Sequence, residues 1–377
     1  MYIQRYIERH LVDSVTKNNE IHIIYGARQV GKTTLVNSVL NKINLRSIRI
    51  NADEQIYNNV FSKRDLTSMK ELVEGYDILF IDEAQNIEDI GINIKILHDS
   101  IPELKIILTG SSSFDLANKV QEPLTGRTKT NILFPIAVCE LEKSYNKFEL
   151  KQLLNDLLTT GSYPKLFNIQ SRKEKISHLL ELSSSYLYRD ILKLVNIKHS
   201  KKIYDLLKLL SYQIGNLVSI NELAQNLKIS NETVEKYIDL LEKSFVIFRL
   251  SGFSRNLRKE IKKQDKIYFY DLGIRNAVIN NFSDYEFRMD KGQLWENFLI
   301  VERMKLNSYK QEYKNLYFWR TYTGAEIDFI EEYDGKLYGY EFKKGTKIPK
   351  VPKTWLDTYK NASFDYVNQN NFLNFIT

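Results

Sequence analysis

The chain has 377 residues, 43% hydrophobic and 27% charged, the balance of an ordinary globular protein with room for two or three domains. No apolar run approaches the ~20 residues that span a bilayer, and the N-terminal MYIQRYIERHLVDSV lacks the apolar stretch of a signal peptide, so a cytoplasmic setting without a membrane partner is expected. A single cysteine, Cys139, excludes an internal disulfide, and five histidines without ligand spacing argue against a His/Cys metal site.

The net charge of +7 is unevenly spread: residues 171–270 hold 19 Lys and Arg against 11 Asp and Glu, so the basic excess lies in the middle of the chain. That excess points toward nucleic acid, although a composition rich in Lys, Asn and Ile also fills surfaces with lysine for no partner at all.

Residues 21–135 alternate short apolar runs (IHIIY, RSIRI, YDILFI, KIILTG) with helical patterns, the rhythm of a parallel sheet covered by helices. Residues 148–212 have helical periodicity, interrupted by GSYPK at 161–165. Residues 219–270 follow the order helix, turn, helix, strand, strand. From 291 onward come a helix (GQLWENFLIVERMKLN), strands over about 315–343, and a short helix–strand unit. The expected organisation is an α/β nucleotide domain over 1–147, a helical segment over 148–212, a winged helix over 213–282 and a C-terminal α/β domain over 283–377.

GARQVGKT, residues 26–33, fits G-x-x-x-x-G-K-[ST] in full, after an apolar strand and before a helical pattern. In such a loop the backbone N–H groups of Gly26, Ala27, Arg28, Gln29, Val30 and Gly31 curl around phosphates, aided by the helix N-terminus that Thr34 continues. Lys32 reaches the β- and γ-phosphates of ATP, and the Thr33 hydroxyl ligates Mg²⁺. YDILFIDEAQ, residues 76–85, supplies the partner motif: a buried strand ends in Asp82, which holds Mg²⁺ through its water shell, and Glu83, placed to polarise an attacking water. KIILTGSSS, 105–113, is a further strand ending in hydroxyls, where Thr109 or Ser111 senses the γ-phosphate or holds the water, or Ser111 or Ser112 simply caps a helix. Arg127 in LTGRTKT suits an arginine finger, in its own subunit or a neighbour's, or a surface salt bridge.

The phosphate loop, FIDEAQ, LTGSSS and LTGR together resemble the AAA-type ATP-binding proteins of bacteria and archaea. The later GSYPKL, YLYRDIL, KIYFYDLGIRN and GQLWENF also resemble that family, so the likeness covers nearly the whole chain. It implies nucleotide binding and ATP hydrolysis, and little about what the hydrolysis drives.

In the middle, LVSINELAQNLKISNETVEKYIDLLEKSFVIFRL (217–250) opens with a capping box at Ser219 and Glu222 and continues in helix-turn-helix order. The second helix carries Glu232, Glu235, Asp239 and Glu242, which repel phosphate, so contact with DNA is assigned to the basic wing: Arg255, Arg258, Lys259, Lys262 and Lys263. Winged helices also serve as protein–protein modules.

Near the end lies TGAEIDFIEEYDGKLYGYEFKKG, 323–345. If Asp334–Gly335 is a two-residue type I′ turn, Asp328 falls directly opposite Glu341, with Lys343 on the same face opposite Glu326. Ile327, Phe329, Tyr340 and Phe342 form the apolar face. Opposed carboxylates are unfavourable unless a divalent cation lies between them; otherwise the hairpin is a solvated surface with a Glu326–Lys343 pair. Asp followed by Glu-x-Lys on the next strand resembles the PD-(D/E)xK core of restriction-endonuclease-like nucleases. That resemblance implies a metal site and adds Glu296, in GQLWENF, as an acid from a preceding helix. Ile327 stands where many members of that fold have proline.

Two functions of different kinds follow. One is an ATPase whose C-terminal half binds, and by the metal set cleaves, DNA, with Lys32, Glu83, Glu341 and Lys343 in catalytic roles. The other is an ATP-dependent switch that binds a protein partner and keeps an inactive nuclease-like scaffold. A ring-like homo-oligomer is expected only through the analogy and the finger role of Arg127.

Overall fold

A computed structural model of the chain describes residues 2–61, 63–111, 123–194, 200–255, 264–321, 324–345 and 348–377. Among these, no helix is long and apolar enough to cross a membrane. The chain divides into two compact units, one of residues 2–135 with 243–245, the other of 136–242 with 246–377.

In the N-terminal unit the apolar runs form five parallel strands, β1 (Ile21–Tyr25), β2 (Ser47–Asn51), β3 (Ile78–Asp82), β4 (Lys105–Gly110) and β5 (Thr128–Ile132), in the order β2-β3-β4-β1-β5. Central strands that carry helices on both faces must be apolar throughout, and β1 is buried at every position. Helices α1 (Glu8–Lys17), α2 (Lys32–Lys42), α3 (Gln55–Phe61), α4 (Leu66–Val73) and α5 (Ile90–Ser100) complete the unit. Leu35, Val36 and Val39 of α2 and Ile90, Ile94 and Leu97 of α5 are fully buried in its core. The strand bearing Asp82 is not the neighbour of the strand that feeds the phosphate loop: β4 lies between them.

The C-terminal unit begins with short helices α6 (Val138–Leu141), α7 (Lys147–Gln152) and α8 (Leu154–Thr159). There follow α9 (Arg172–Leu194), α10 (Ser200–Tyr212), α11 (Ile220–Leu227) and α12 (Asn231–Lys243). Strands β6 (Ile247–Gly252) and β7 (Lys266–Phe269), helices α13 (Leu272–Val278) and α14 (Lys291–Lys310), and strands β8 (Asn315–Arg320), β9 (Glu326–Tyr333) and β10 (Lys336–Phe342) come next. Helix α15 (Lys353–Thr358), strand β11 (Ala362–Val367) and helix α16 (Phe372–Ile376) close the chain.

The helix-turn-helix order is present in α11 and α12, and the Ser219 side chain accepts from Glu222 N at 3.3 Å to start α11. The hairpin after it does not stand alone. β6 pairs antiparallel with β7 and parallel with β8 at Ser251–Tyr317 and Gly252–Phe318, giving one six-stranded sheet in the order β11-β10-β9-β8-β6-β7. The expected boundaries at 212/213 and 282/283 therefore fall inside one compact unit. The nucleotide unit ends at 135 rather than 147 because the following segment hydrogen-bonds into the C-terminal unit, Ile136 N to Ser162 O at 2.9 Å and Val138 N to Glu302 Oε2 at 2.6 Å.

Phe253, Trp319, Ile327, Ile330, Leu337, Trp355 and Tyr359 form one core of this sheet. Trp295, Phe298 and Phe372 pack as an aromatic group where α14 meets α16. At the buried β7 edge of the sheet, the Asn297 side chain acts as a substitute strand partner: it accepts from Phe269 N at 2.8 Å and donates to Phe269 O at 2.9 Å.

Candidate nucleotide and metal sites

The phosphate loop joins β1 to α2, and its backbone is one that few sequences adopt. Gly26, Gln29 and Gly31 all have positive φ, and a Cβ on Gly26 would lie 2.1 Å from Leu133 O, so only glycine fits there. Ala27 and Val30 are buried, and Gly31 is the N-cap of α2, which Lys32, Thr33 and Thr34 begin. Lys32 is 4% exposed and lies back along the loop, donating to Gly26 O at 2.9 Å and Ala27 O at 3.1 Å. Arg5, which no motif marks as functional, supports the loop from the N-terminal segment by donating to Val30 O at 2.7 Å and Phe134 O at 2.6 Å.

The acids of the second motif meet the loop. Thr33 Oγ1 donates to Asp82 Oδ2 at 2.7 Å, and Thr109 Oγ1 donates to Asp82 Oδ1. Glu83 adopts a left-handed backbone (φ 52°), its N–H donates to Thr109 Oγ1 at 3.2 Å, and its carboxylate accepts from Gln85 Nε2 at 2.6 Å. The same Gln85 amide donates to Ser111 Oγ at 3.2 Å. Thr109 and Ser111 reach this point because β4 is inserted between β1 and β3, which strand order in the sequence does not reveal.

Arg127 is elsewhere. The register Ile21↔Thr128 puts it beside the start of β1, at the opposite end of the sheet from Gly26, where it pairs with Asp99 (Nε–Oδ1 3.0 Å). It does not reach its own subunit's loop, and the salt-bridge alternative describes it.

In the C-terminal unit the hairpin follows the expected register. Phe329↔Tyr340 through Tyr333↔Lys336 pair antiparallel, and Asp334 and Gly335 both have positive φ as a type I′ turn requires. Phe329↔Tyr340 is the last pair of this ladder, and beyond it Phe342 N donates to Asp328 Oδ2 at 2.7 Å. A β-bulge lies at this point: Tyr317 pairs with Ile330 and Trp319 with Ile327, so Phe318 faces both Asp328 and Phe329. Bulges of this kind re-aim side chains.

The charges are distributed differently from expectation. Lys343 Nζ pairs with Glu341 Oε1 at 2.7 Å, not with Glu326. Glu326 pairs instead with Lys266 of β7 at 2.8 Å. Lys266 also donates to Glu296 Oε1 at 3.1 Å, and the same oxygen accepts from Tyr268 Oη at 2.5 Å. Glu296, expected as a metal ligand, is thus held by a lysine and a phenol. Burial works against the Lys266 charge, but Glu296 and Glu326 outweigh it and keep its pKa above the ordinary lysine value. Burial, reinforced by the charges of Glu296 and Glu341, pushes Asp328 up to about 8. Glu341 Oε2 is buried without a hydrogen-bond partner. Among the described residues no group of three or more His, Cys, Asp and Glu side chains is gathered closely enough to hold a metal ion.

Of the expected DNA-contacting residues, Arg258, Lys259, Lys262 and Lys263 lie outside the described residues. Arg255 donates to Asn361 Oδ1 at 2.9 Å and sits 5.4 Å from the Tyr359 ring centre. The acids of α12 also have an internal explanation. Arg249 of β6 pairs with Glu235 at 2.9 Å, Asp239 at 2.8 Å and Glu242 at 2.7 Å, so three of the four are held by one guanidinium, which offsets one of their three charges.

Comparison with known proteins agrees with the N-terminal half of this picture. Residues 18–142 match a family model described as an AAA domain, while residues 151–285 and 291–370 match two domains of unknown function, DUF8612 and DUF4143. An uncharacterized protein of Methanocaldococcus jannaschii is 27% identical, covering 93% of this chain and 81% of its own length. A second protein of that organism, described as ATP-binding, is 26% identical over 45% of this chain and 48% of its own length. A Walker-type ATPase of Pyrococcus abyssi has a similar fold, with a TM-score of 0.53 and 17% identity over 74% of this chain and 96% of that structure.

Proposed function

We propose that this chain, whose N-terminal unit is an AAA-type P-loop ATPase domain, is a Mg²⁺-dependent ATPase whose C-terminal unit binds DNA and cleaves it at the Asp328–Glu341 centre. The ATPase reading rests on one observation above the others, the 2.7 Å bond by which Thr33 and Asp82 bring the oxygens of two distant motifs to one point. Those two residues fit Mg²⁺, which when bound neutralises charge on the phosphates. The loop N–H groups bind the phosphate oxygens. Lys32 leaves the neutral carbonyls of Gly26 and Ala27 for the β- and γ-phosphates, and Glu83 takes the proton of the attacking water. A protein whose description names ATP as its ligand is among the relatives of this chain, which supports the same nucleotide here.

For the second centre, the opposed Asp328 and Glu341, with the buried and unpartnered Glu341 Oε2, fit a divalent cation as two hard oxygen ligands. Such an ion supplies an activated water for phosphodiester attack. Lys343 orients Glu341 and faces the developing anion.

A second reading, a nucleotide switch on a protein partner with a nuclease-like scaffold, draws support from Arg249 and Arg255. Their contacts withdraw charge from any nucleic-acid surface.

Incubating the full chain with plasmid and single-stranded DNA in Mg²⁺ or Mn²⁺, with and without ATP, separates the two. Metal-dependent cleavage that is lost in Glu341→Ala/Lys343→Ala is expected. ATP hydrolysis without cleavage by either protein transfers the case to the partner-binding switch.

A further inference from the structure

Arg5 belongs to none of the motifs that carry the ATPase reading, yet it is 3% exposed and its guanidinium ends on the phosphate loop. Nη1 donates to Val30 O at 2.7 Å and Nη2 to Phe134 O at 2.6 Å. A guanidinium carries its donors in a rigid planar fork, so the two carbonyls are fixed relative to each other as well as to Arg5. Phe134 belongs to the stretch that follows β5, where Leu133 N donates to Tyr25 O at 2.7 Å and Leu133 O crowds the α-carbon of Gly26. The loop is thus held at both ends against residues 133 and 134, at Gly26 by backbone contact and at Val30 through Arg5.

The direction of the Val30 carbonyl sets the direction of a donor. The peptide bonds of the described residues are trans, and in a trans peptide the C=O of one residue and the N–H of the next point opposite ways. With Val30 O turned onto the guanidinium, the N–H of Gly31 points away from it. Gly31 is the N-cap of α2, the place where backbone N–H groups meet an anion. It is also a glycine, at φ 95°, whose backbone tolerates many orientations. Without a hold on Val30 O, this peptide is free to turn its carbonyl, the repelling end, toward a phosphate.

We infer that Arg5 is a positioning residue of the phosphate loop, fixing the Val30–Gly31 peptide with its N–H toward the nucleotide phosphates and its carbonyl away from them. The inference rests on the ATPase reading of the loop. The hold is strong, because hydrogen bonds from a charged donor are roughly twice as strong as neutral ones. It also acts before the ligand arrives, which lowers the ordering cost of binding.

The test uses inorganic tripolyphosphate, which presents a phosphate chain without the base, alongside Mg²⁺–ATP. Both are titrated calorimetrically into the full chain. Arg5→Ala is expected to weaken both by about 10²-fold, the scale of a misaimed binding group. Arg5→Lys keeps the charge but not the fork, and the loss of one charge-assisted bond corresponds to about tenfold. Equal fold-losses for the two probes put the effect on the phosphates; a loss confined to ATP overturns the inference. A residue that only anchored the N-terminal segment would lower the urea midpoint and leave both affinities of the folded protein unchanged. Because removing a buried arginine can unfold the protein, Arg5→Lys decides where Arg5→Ala does not fold. A loss below about threefold in folded Arg5→Lys, no more than an ordinary surface change gives, overturns the inference. Lys32→Ala separates the two claims. If it loses tripolyphosphate while the folded Arg5 variants keep it, Arg5 has no positioning role and the ATPase reading stands. If the parent binds neither probe, the ATPase reading fails and the inference fails with it.

Discussion

The two candidate sites hold their lysines in opposite ways. Lys32 donates to the carbonyls of Gly26 and Ala27, neutral dipoles that a phosphate outbids. Lys266 donates to Glu296 and Glu326, full charges that almost nothing outbids. A phosphate can replace these two carbonyls, whereas the carboxylates tie the second lysine into the structure. A buried cation is thus not by itself a sign of a waiting anion site; the charge of its present partners decides.

That contrast breaks most readily at the nucleotide loop, where the largest effects are expected. Lys32→Ala removes the side chain proposed to reach the phosphates, and ATP binding should be abolished, with hydrolysis down by ~10²–10³-fold or more. Unchanged ATP affinity, measured by calorimetry, would refute the loop assignment. Glu83→Gln should leave binding in place and lower phosphate release by ~10²–10⁴-fold, the usual span for a general base. Equal losses in affinity and turnover would show that Glu83 shapes the pocket instead.

A smaller effect sharpens the comparison from the side of the bonded charges. Arg249 ties three carboxylates of α12 at 2.7–2.9 Å, in a partly buried setting. Arg249→Met should cost about 1–3 kcal/mol in urea denaturation, because Glu235, Asp239 and Glu242 are left facing one another. It should also raise affinity for cations and lower it for polyanions. A stability within about 0.5 kcal/mol of the parent, as for ordinary surface changes, would mean the three acids are solvated and the ion-pair account of α12 fails.

The sites differ in the same way in how much of them could be read from residues alone. The loop is eight consecutive residues whose backbone conformation is the function, so GARQVGKT carries nearly all of it. Asp82 and Glu83 were legible because a buried strand must end where its charges begin. The hairpin register was legible too, since Asp334–Gly335 admits essentially one two-residue turn and the pairs from Tyr333↔Lys336 to Phe329↔Tyr340 then follow. Strand order was not: nothing local says that β4 separates β1 from β3, or that β6 leaves its hairpin to pair with β8. Lys266 and Tyr268 announce a polar face by their spacing of two, but their partner Glu296 comes from a helix about 30 residues later, a choice made by tertiary packing. Glu331 shows the same limit. Placed by alternation on the apolar face, it is 1% exposed because Arg303 clasps both its oxygens at 2.8 Å. Arg127 misled for a related reason: its neighbours in sequence suggest a nucleotide motif, while the parallel register carries it to the far end of the sheet.

The last prediction concerns pH and the sign that single buried groups contribute. His22 is buried in β1, and burial, together with the nearby charge of Lys129, lowers its pKa to about 4. The folded protein therefore keeps this ring neutral while the unfolded chain protonates it below its ordinary value of ~6.5. The unfolded state binds the extra proton, so stability is lost as pH falls from about 6.5 to about 4, by about 1–3 kcal/mol at most. Asp271 and Glu302 have the opposite sign: burial raises their pKa, so at these two groups the folded state holds the extra proton and their contribution to stability declines as pH rises above the ordinary carboxylate range. Urea denaturation of the full chain and of His22→Phe at a series of pH values isolates the first effect. The two curves should diverge between pH 6.5 and 4 and run parallel above. Parallel curves throughout would mean that the ring takes up its proton within the folded sheet, which a fully covered parallel strand does not permit.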